Sequence, residues 1–174
     1  MVLICLAPAG FSQPQGILFD GANLWVTDAG DTSLKRVDTT TGAVLQTIAL
    51  SGTVGHPVFD GANLWIPCGA KVFVVRGVGG SAGTVPLGTV LAQLTGNGLN
   101  GASQAAFDGE RICVTNASAQ SVSLWKATDL SPITSVEIGV ISPGFNPRGV
   151  CSDGVTFFVG LRNPSGANGQ IAHF

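Results

Sequence analysis

An all-β fold, a β-propeller with four blades of four antiparallel strands, is predicted by three observations. An Asp-Gly pair recurs at Asp20-Gly21, Asp60-Gly61, Asp108-Gly109 and Asp153-Gly154, spaced 40, 48 and 45 residues apart, which is the period of propeller blades. The run from Phe19 to Trp25 returns letter for letter from Phe59 to Trp65, then decays to Phe107-Asp108-Gly109 and Ser152-Asp153-Gly154. Around these pairs lie short runs rich in β-branched and aromatic residues, bounded by Gly, Asp, Asn or Thr, with no apolar stripe of helical period.

The elements follow in order along the single domain, residues 1–174. Blade one (about 14–50) takes an inner strand from Gln15 to Phe19, then Asn23 to Asp28, Ser33 to Asp38 and Ala43 to Leu50. Asp20-Gly21 suits a tight hairpin, and Gly42 after Thr41 supplies the positive φ that closes the third strand onto the fourth. Blade two (54–95) takes Val54 to Phe59, Asn63 to Pro67, Lys71 to Arg76 and Thr89 to Thr95. Blade three (103–139) takes Ser103 to Phe107, Glu110 to Thr115, Ser121 to Ala127 and Ile133 to Gly139. Blade four (147–174) holds only Arg148 to Ser152, Val155 to Leu161 and Gly169 to Phe174, one strand short. The apolar segment Val2 to Ala7 is expected to be the missing outer strand, closing the ring and covering a sheet edge.

Composition bounds the partners. Of the 174 residues, 45% are hydrophobic and 10% charged, and the net charge is -2 with no cluster of Lys or Arg. A binder of nucleic acid or of an anionic membrane needs a basic footprint that is missing here. No apolar run approaches the roughly 20 residues of a membrane-spanning helix, and Val2 to Ala7 lacks the basic leader of a signal peptide, so the expected compartment is the cytoplasm. The cysteines Cys5, Cys68, Cys113 and Cys151 are isolated and read as buried free thiols, without the spacing of a metal site.

The repeated aspartates are assigned to turns, where the carboxylate accepts backbone hydrogen bonds. Trp25, Trp65, Phe19, Phe59, Phe107, Phe157 and Phe158 are assigned to the core. Functional candidates are the residues that do not repeat. Aligned on the Asp-Gly pairs, the inner strands begin with Gln15-Gly16, Gly55-His56, Ser103-Gln104 and Arg148-Gly149, at the mouth of the central channel. His56 and Arg148 are expected to converge there with Gln15 and Gln104 flanking, a polar ring suited to an anion or a carbonyl-bearing small molecule. Asp28 and Asn116, at the ends of second strands, are further candidate acceptors. The long glycine-rich stretch Gly77 to Gly88, with Gly96 to Gly101, marks blade two as a recognition face; it has no Lys-Ser/Thr to make a phosphate loop.

The run Pro14 to Asp28, followed by Leu34-Lys35-Arg36-Val37-Asp38 and Thr41-Gly42, resembles the NHL, YVTN and virginiamycin B lyase-like group of propellers. The resemblance covers nearly the whole chain and implies fold more than function. The group's lyase implies histidines, a glutamate and a magnesium ion near the channel. This chain has only His56, His173, Glu110 and Glu137, with no matching cluster, so the enzymatic role is not carried over. Such relatives usually have six or seven blades, so either this ring closes at four or two chains assemble a ring of eight.

The function expected is a non-catalytic propeller, without cofactor or metal, that binds a small molecule or protein at the channel mouth or through the blade-two loops, as a monomer or homodimer. The alternatives are an assembly module that builds a larger ring by oligomerisation, and a lyase or hydrolase with His56 as general base and Arg148 as electrostatic stabiliser.

Overall fold

The computed structural model describes residues 10–79, 85–166 and 168–174. Four antiparallel sheets follow one another along the chain. Blade one contains β1 (Pro14–Phe19), β2 (Asn23–Asp28), β3 (Ser33–Asp38) and β4 (Val44–Ala49). Blade two contains β5 (Val58–Phe59), β6 (Asn63–Cys68), β7 (Lys71–Arg76) and β8 (Val90–Thr95). Blade three contains β9 (Ala102–Phe107), β10 (Arg111–Asn116), β11 (Ser121–Lys126) and β12 (Pro132–Glu137). The short helix α1 (Ile138–Ile141) leads to blade four, with β13 (Asn146–Ser152), β14 (Phe157–Arg162) and β15 (Gln170–His173). Within each sheet, neighbours in sequence are neighbours in space. No helix among the described residues is long and apolar enough to cross a membrane.

The turn chemistry accounts for the repeat. Gly21, Gly61, Gly109 and Gly154 all have φ between +95° and +106°, a region open to glycine at no steric cost. The preceding aspartate receives the backbone N–H groups two and three residues on: Ala22 and Asn23 at Asp20, Ala62 and Asn63 at Asp60, Glu110 and Arg111 at Asp108, Val155 and Thr156 at Asp153. In blades one and two the second carboxylate oxygen also accepts the indole N–H of the buried tryptophan, 2.6 Å from Trp25 and 2.7 Å from Trp65. Burial raises the Asp20 carboxyl, but these donors outweigh it and hold the group below its ordinary range.

Asp60→Ala is therefore expected to cost about 2 to 4 kcal/mol, because two backbone donors and a buried indole lose their acceptor. Asp153→Ala removes turn bonds alone and is expected to cost at least 1 kcal/mol less. Urea unfolding of the two variants measures the difference, and equal losses would remove the indole tie from the account.

Three expectations need correction, the first being Phe19, assigned to the core but 57% exposed. The inner strand of blade two is not continuous from Val54: β5 has two residues, joined by bridges at Val54–Cys68 and His56–Gln104. Pro57 has no N–H for a ladder, and the His56 N–H turns sideways to the Ser103 carbonyl of blade three at 2.8 Å. The cysteines also divide. Cys68 and Cys113 are buried, and that burial pushes their thiols up to about 12, whereas Cys151 is exposed.

The core lies between blades. One cluster joins blades one and two through Trp25, Leu34, Leu64, Ile66 and Phe73. A second joins two and three through Trp65, Val72, Ile112, Val114 and Trp125, and a third joins three and four through Cys113, Val122, Leu124, Phe157 and Val159. Among the described residues no cluster joins blade four back to blade one. Blade four has three strands, and the fourth expected from Val2 to Ala7 lies outside the described residues.

Candidate functional site

Hydroxyls on the second strands fix the backbone where the inner strands begin. Thr27 Oγ1 accepts the Gly16 N–H at 2.9 Å and donates to the Gly55 carbonyl of the next blade at 2.8 Å. Thr115 Oγ1 accepts the Gln104 N–H at 3.2 Å and donates to the Arg148 carbonyl at 3.1 Å. Between blades two and three the His56–Gln104 bridge makes the join. At Gly55 a Cβ atom would sit 2.0 Å from the Ser103 carbonyl oxygen, so only glycine permits this approach.

The result is a pocket of about 200 Å³ lined by Gln15, His56, Gln104 and Arg148, one residue from each blade, together with Thr53, Val54, Gly55, Ala102 and Ser103. No carboxylate belongs to this lining, and Arg148 supplies a fixed positive charge. Gln15, His56 and Arg148 are exposed and Gln104 half-buried. All four line the opening, an arrangement that can offer guanidinium, imidazole and carboxamide groups to a small polar molecule.

Asp28 and Asn116 are not in this pocket. Both are buried. Asp28 receives the N–H groups of Ser12 (2.8 Å), Gln13 (2.7 Å) and Gly30 (3.1 Å), and its carboxylate meets Lys35 Nζ at 2.8 Å. Lys35 also meets Asp31 at 2.6 Å, donates to the Gly10 carbonyl and lies 5.2 Å from the centre of the Phe11 ring. Burial raises the Asp28 carboxyl, but Lys35 and the three N–H groups hold it well below the usual carboxylate range. The cluster anchors the segment that leads into β1, and so places Gln15. Asn116 Nδ2 donates to Ser123 Oγ at 2.7 Å, and that hydroxyl donates to the Asn97 carbonyl at 2.6 Å.

The second bond draws the connection Gly96 to Gly101 onto blade three, where Leu99 is buried in the second cluster. This connection is packing. The longer stretch, Gly77 to Gly88, falls partly outside the described residues, and its end leans on blade one through Leu87 and through Gly88 against Gln46. The blade-two connections therefore differ from the pocket, which residues of all four blades line. Thr27 and Thr115, which sequence reasoning missed, each stand seven residues after an Asp-Gly aspartate, the signal by which they are found.

A propeller sheet series with a polar pocket at the inner ends of its blades is the class of protein that this fold and site define. No family model matches the chain, and no curated protein matches it. Solved propeller structures do. The chain is similar over its whole length to Kuenenia stuttgartiensis hydrazine synthase, at 17% identity and a TM-score of 0.70, covering 49% of that chain. It is similar over 91% of its length to the β-propeller domain of Myceliophteria thermophila Cps50 (Swd1), at 14% identity and a TM-score of 0.63, covering 52% of that chain. Over 92% it is similar to dihydro-heme d1 dehydrogenase NirN in complex with DHE, at 18% identity and a TM-score of 0.64, covering 37% of that chain. The chain thus spans about half or less of the structures it matches, and at these identities the likeness is one of fold.

Proposed function

We propose that the protein is a binding module whose channel-mouth pocket takes a small anion, a carboxylate or another oxyanion. The observation that carries this is the lining itself: one arginine, one histidine and two carboxamides from four blades, without a carboxylate among the nine lining residues. A guanidinium gives two parallel donors to an oxyanion, and the glutamine amides add neutral donors. A pocket of about 200 Å³ is below the roughly 300 to 1,000 Å³ of drug-sized ligand sites, which favours a ligand of few heavy atoms. No acidic side chain stands in the lining to orient His56 as a base, so binding is preferred to chemistry.

This reading fits the resemblance to NHL, YVTN and virginiamycin B lyase-like repeats as a matter of scaffold. Free thiols at Cys68, Cys113 and Cys151 favour a reducing, cytoplasmic setting.

Titration calorimetry with citrate, succinate and inorganic phosphate tests the reading. Arg148→Gln is expected to weaken binding of the responding anion by at least about tenfold, the loss of one charge-assisted contact. Asp153→Ala, outside the pocket, is expected to leave affinity unchanged. Absence of binding by all three anions, or equal affinity in Arg148→Gln, would falsify the anion reading.

A further inference from the structure

We propose that the pocket takes up its anion together with a proton on His56, so that it fills in acid and empties as the imidazole becomes neutral. This inference rests on the anion reading and adds the regulation of that site.

The backbone fixes the order of the lining. Gly16 lies so close to blade two that a Cβ there would stand 2.8 Å from His56 Cα. His56 is bridged to Gln104. Gln104 in turn reaches blade four, where its Oε1 is 3.9 Å from the position of a Cβ on Gly149. The order around the pocket is therefore Gln15, His56, Gln104, Arg148, with one glutamine between the two basic residues. In a pocket of about 200 Å³ an oxyanion of few heavy atoms is brought against both.

Arg148 keeps its charge at every accessible pH, whereas histidine changes charge between about pH 5 and 8. No other residue of the lining titrates in that range, so the lining carries one positive charge at its upper end and two at its lower end.

The surroundings of His56 leave the second charge uncompensated. The elements packed around it present Gln15 from β1, Thr27 from β2, Ser103 and Gln104 from β9, Thr115 from β10 and Arg148 from β13. Of these Arg148 alone is charged. Val54 is bridged to Cys68 of β6, a buried thiol pushed up to about 12 and therefore neutral. Cys68 pairs with Lys71 of β7, a further cation, which donates to Ser51 Oγ at 3.1 Å. Asp28, next to Thr27, is buried and already holds Lys35 at 2.8 Å. The Asp-Gly aspartates stand at the far ends of the inner strands. A proton on His56 in the empty pocket thus meets a like charge and no carboxylate, which disfavours it. An oxyanion between His56 and Arg148 reverses that balance. Proton and anion each raise the affinity for the other, by the same factor.

Sulfate is the probe, because it keeps its double charge throughout this range. Calorimetry at constant ionic strength is expected to show sulfate affinity at least about fivefold higher near pH 5.5 than near pH 8.5. Near neutral pH, binding heats in two buffers of different ionisation enthalpy are expected to reveal proton uptake with each sulfate bound, a readout that needs no variant to fold. His56→Gln is expected to bind sulfate as the parent does at the alkaline pH and to lose the pH dependence. Arg148→Gln is expected to bind at least about tenfold more weakly at the alkaline pH. Equal affinity of the parent at the two pH values, binding without proton uptake, or a pH dependence that persists in His56→Gln overturns the coupling and leaves the anion reading standing. Absence of sulfate binding by the parent at either pH, or undiminished binding by Arg148→Gln, overturns both.

Discussion

Lys35→Met is expected to destabilise the protein by about 3 to 5 kcal/mol, because Asp28 would be left buried without its counter-ion. Lys35 and Asp28 are 2% and 0% exposed, so solvent does not replace the lost ammonium. At the matching positions blade two carries Cys68 and Phe73, and blade three carries Asn116 and Ser123. A propeller sheet therefore tolerates an apolar or neutral pair there. The charge in blade one serves the segment from Gly10 to Gln13, which it ties down through backbone groups. The loss is read from urea midpoints, and a change under about 1 kcal/mol would mean that the three N–H donors alone sustain the carboxylate.

The pH dependence has a definite sign at each end. The Asp28 carboxyl is depressed in the folded protein, so its contribution is present above the unfolded value of about 3.9 and disappears as pH falls through the folded value. Burial lowers the Lys35 ammonium, but Asp28 and then Asp31 raise it above its ordinary value. Its contribution is complete below about pH 10.4 and disappears as pH rises through the folded value. Lys35→Met is expected to flatten the acid limb, since the Asp28 depression loses a major donor.

Trp65→Ala is expected to cost about 3 to 5 kcal/mol, the range for truncating a buried aromatic. The indole is fully buried in the second cluster and donates to Asp60, so the truncation leaves both a cavity and an acceptor short of a donor. Phe158 holds the same register position in blade four. Phe158→Ala is expected to cost about 1 kcal/mol or less, as substitutions away from a packed core do. Chemical unfolding of both variants under dilute conditions makes the comparison. Equal losses would mean that the open face of blade four is already covered.

The contrast between identical stretches explains how far the sequence could be read. Phe19 to Trp25 and Phe59 to Trp65 have the same letters and build the same hairpin, because Asp-Gly turns and strand alternation are local properties. Yet Phe19 is open while Phe59 is packed on a neighbour. Whether another sheet stands beside the hairpin is decided by position in the series, which no local pattern encodes. For the same reason the expected core position holds for Phe59 and Phe107, which pack against clusters, and fails for Phe19.

The pocket was legible for a related reason. Gln15 and Arg148 stand five residues before their Asp-Gly aspartate and His56 and Gln104 four, so alignment of the repeats puts all four at the starts of the inner strands and predicts that they gather. Asp28 and Asn116 also match one another, but both side chains are buried away from the pocket. There Asp28 meets Lys35 and Asn116 meets Ser123, partners that only the paired third strand reveals. The interrupted inner strand of blade two combines a visible cause, Pro57, with an invisible one, the sideways bond from His56 to Ser103.

The three clusters each connect sheets that are consecutive in the chain. A duplicated stretch of gene encoding one such sheet would add a unit whose two faces already match its neighbours, and no existing contact would have to be remade. The copied letters of the first two hairpins are what this kind of growth leaves behind. Ring size then becomes a matter of how many units are counted out, and a lineage can change it without inventing a new core.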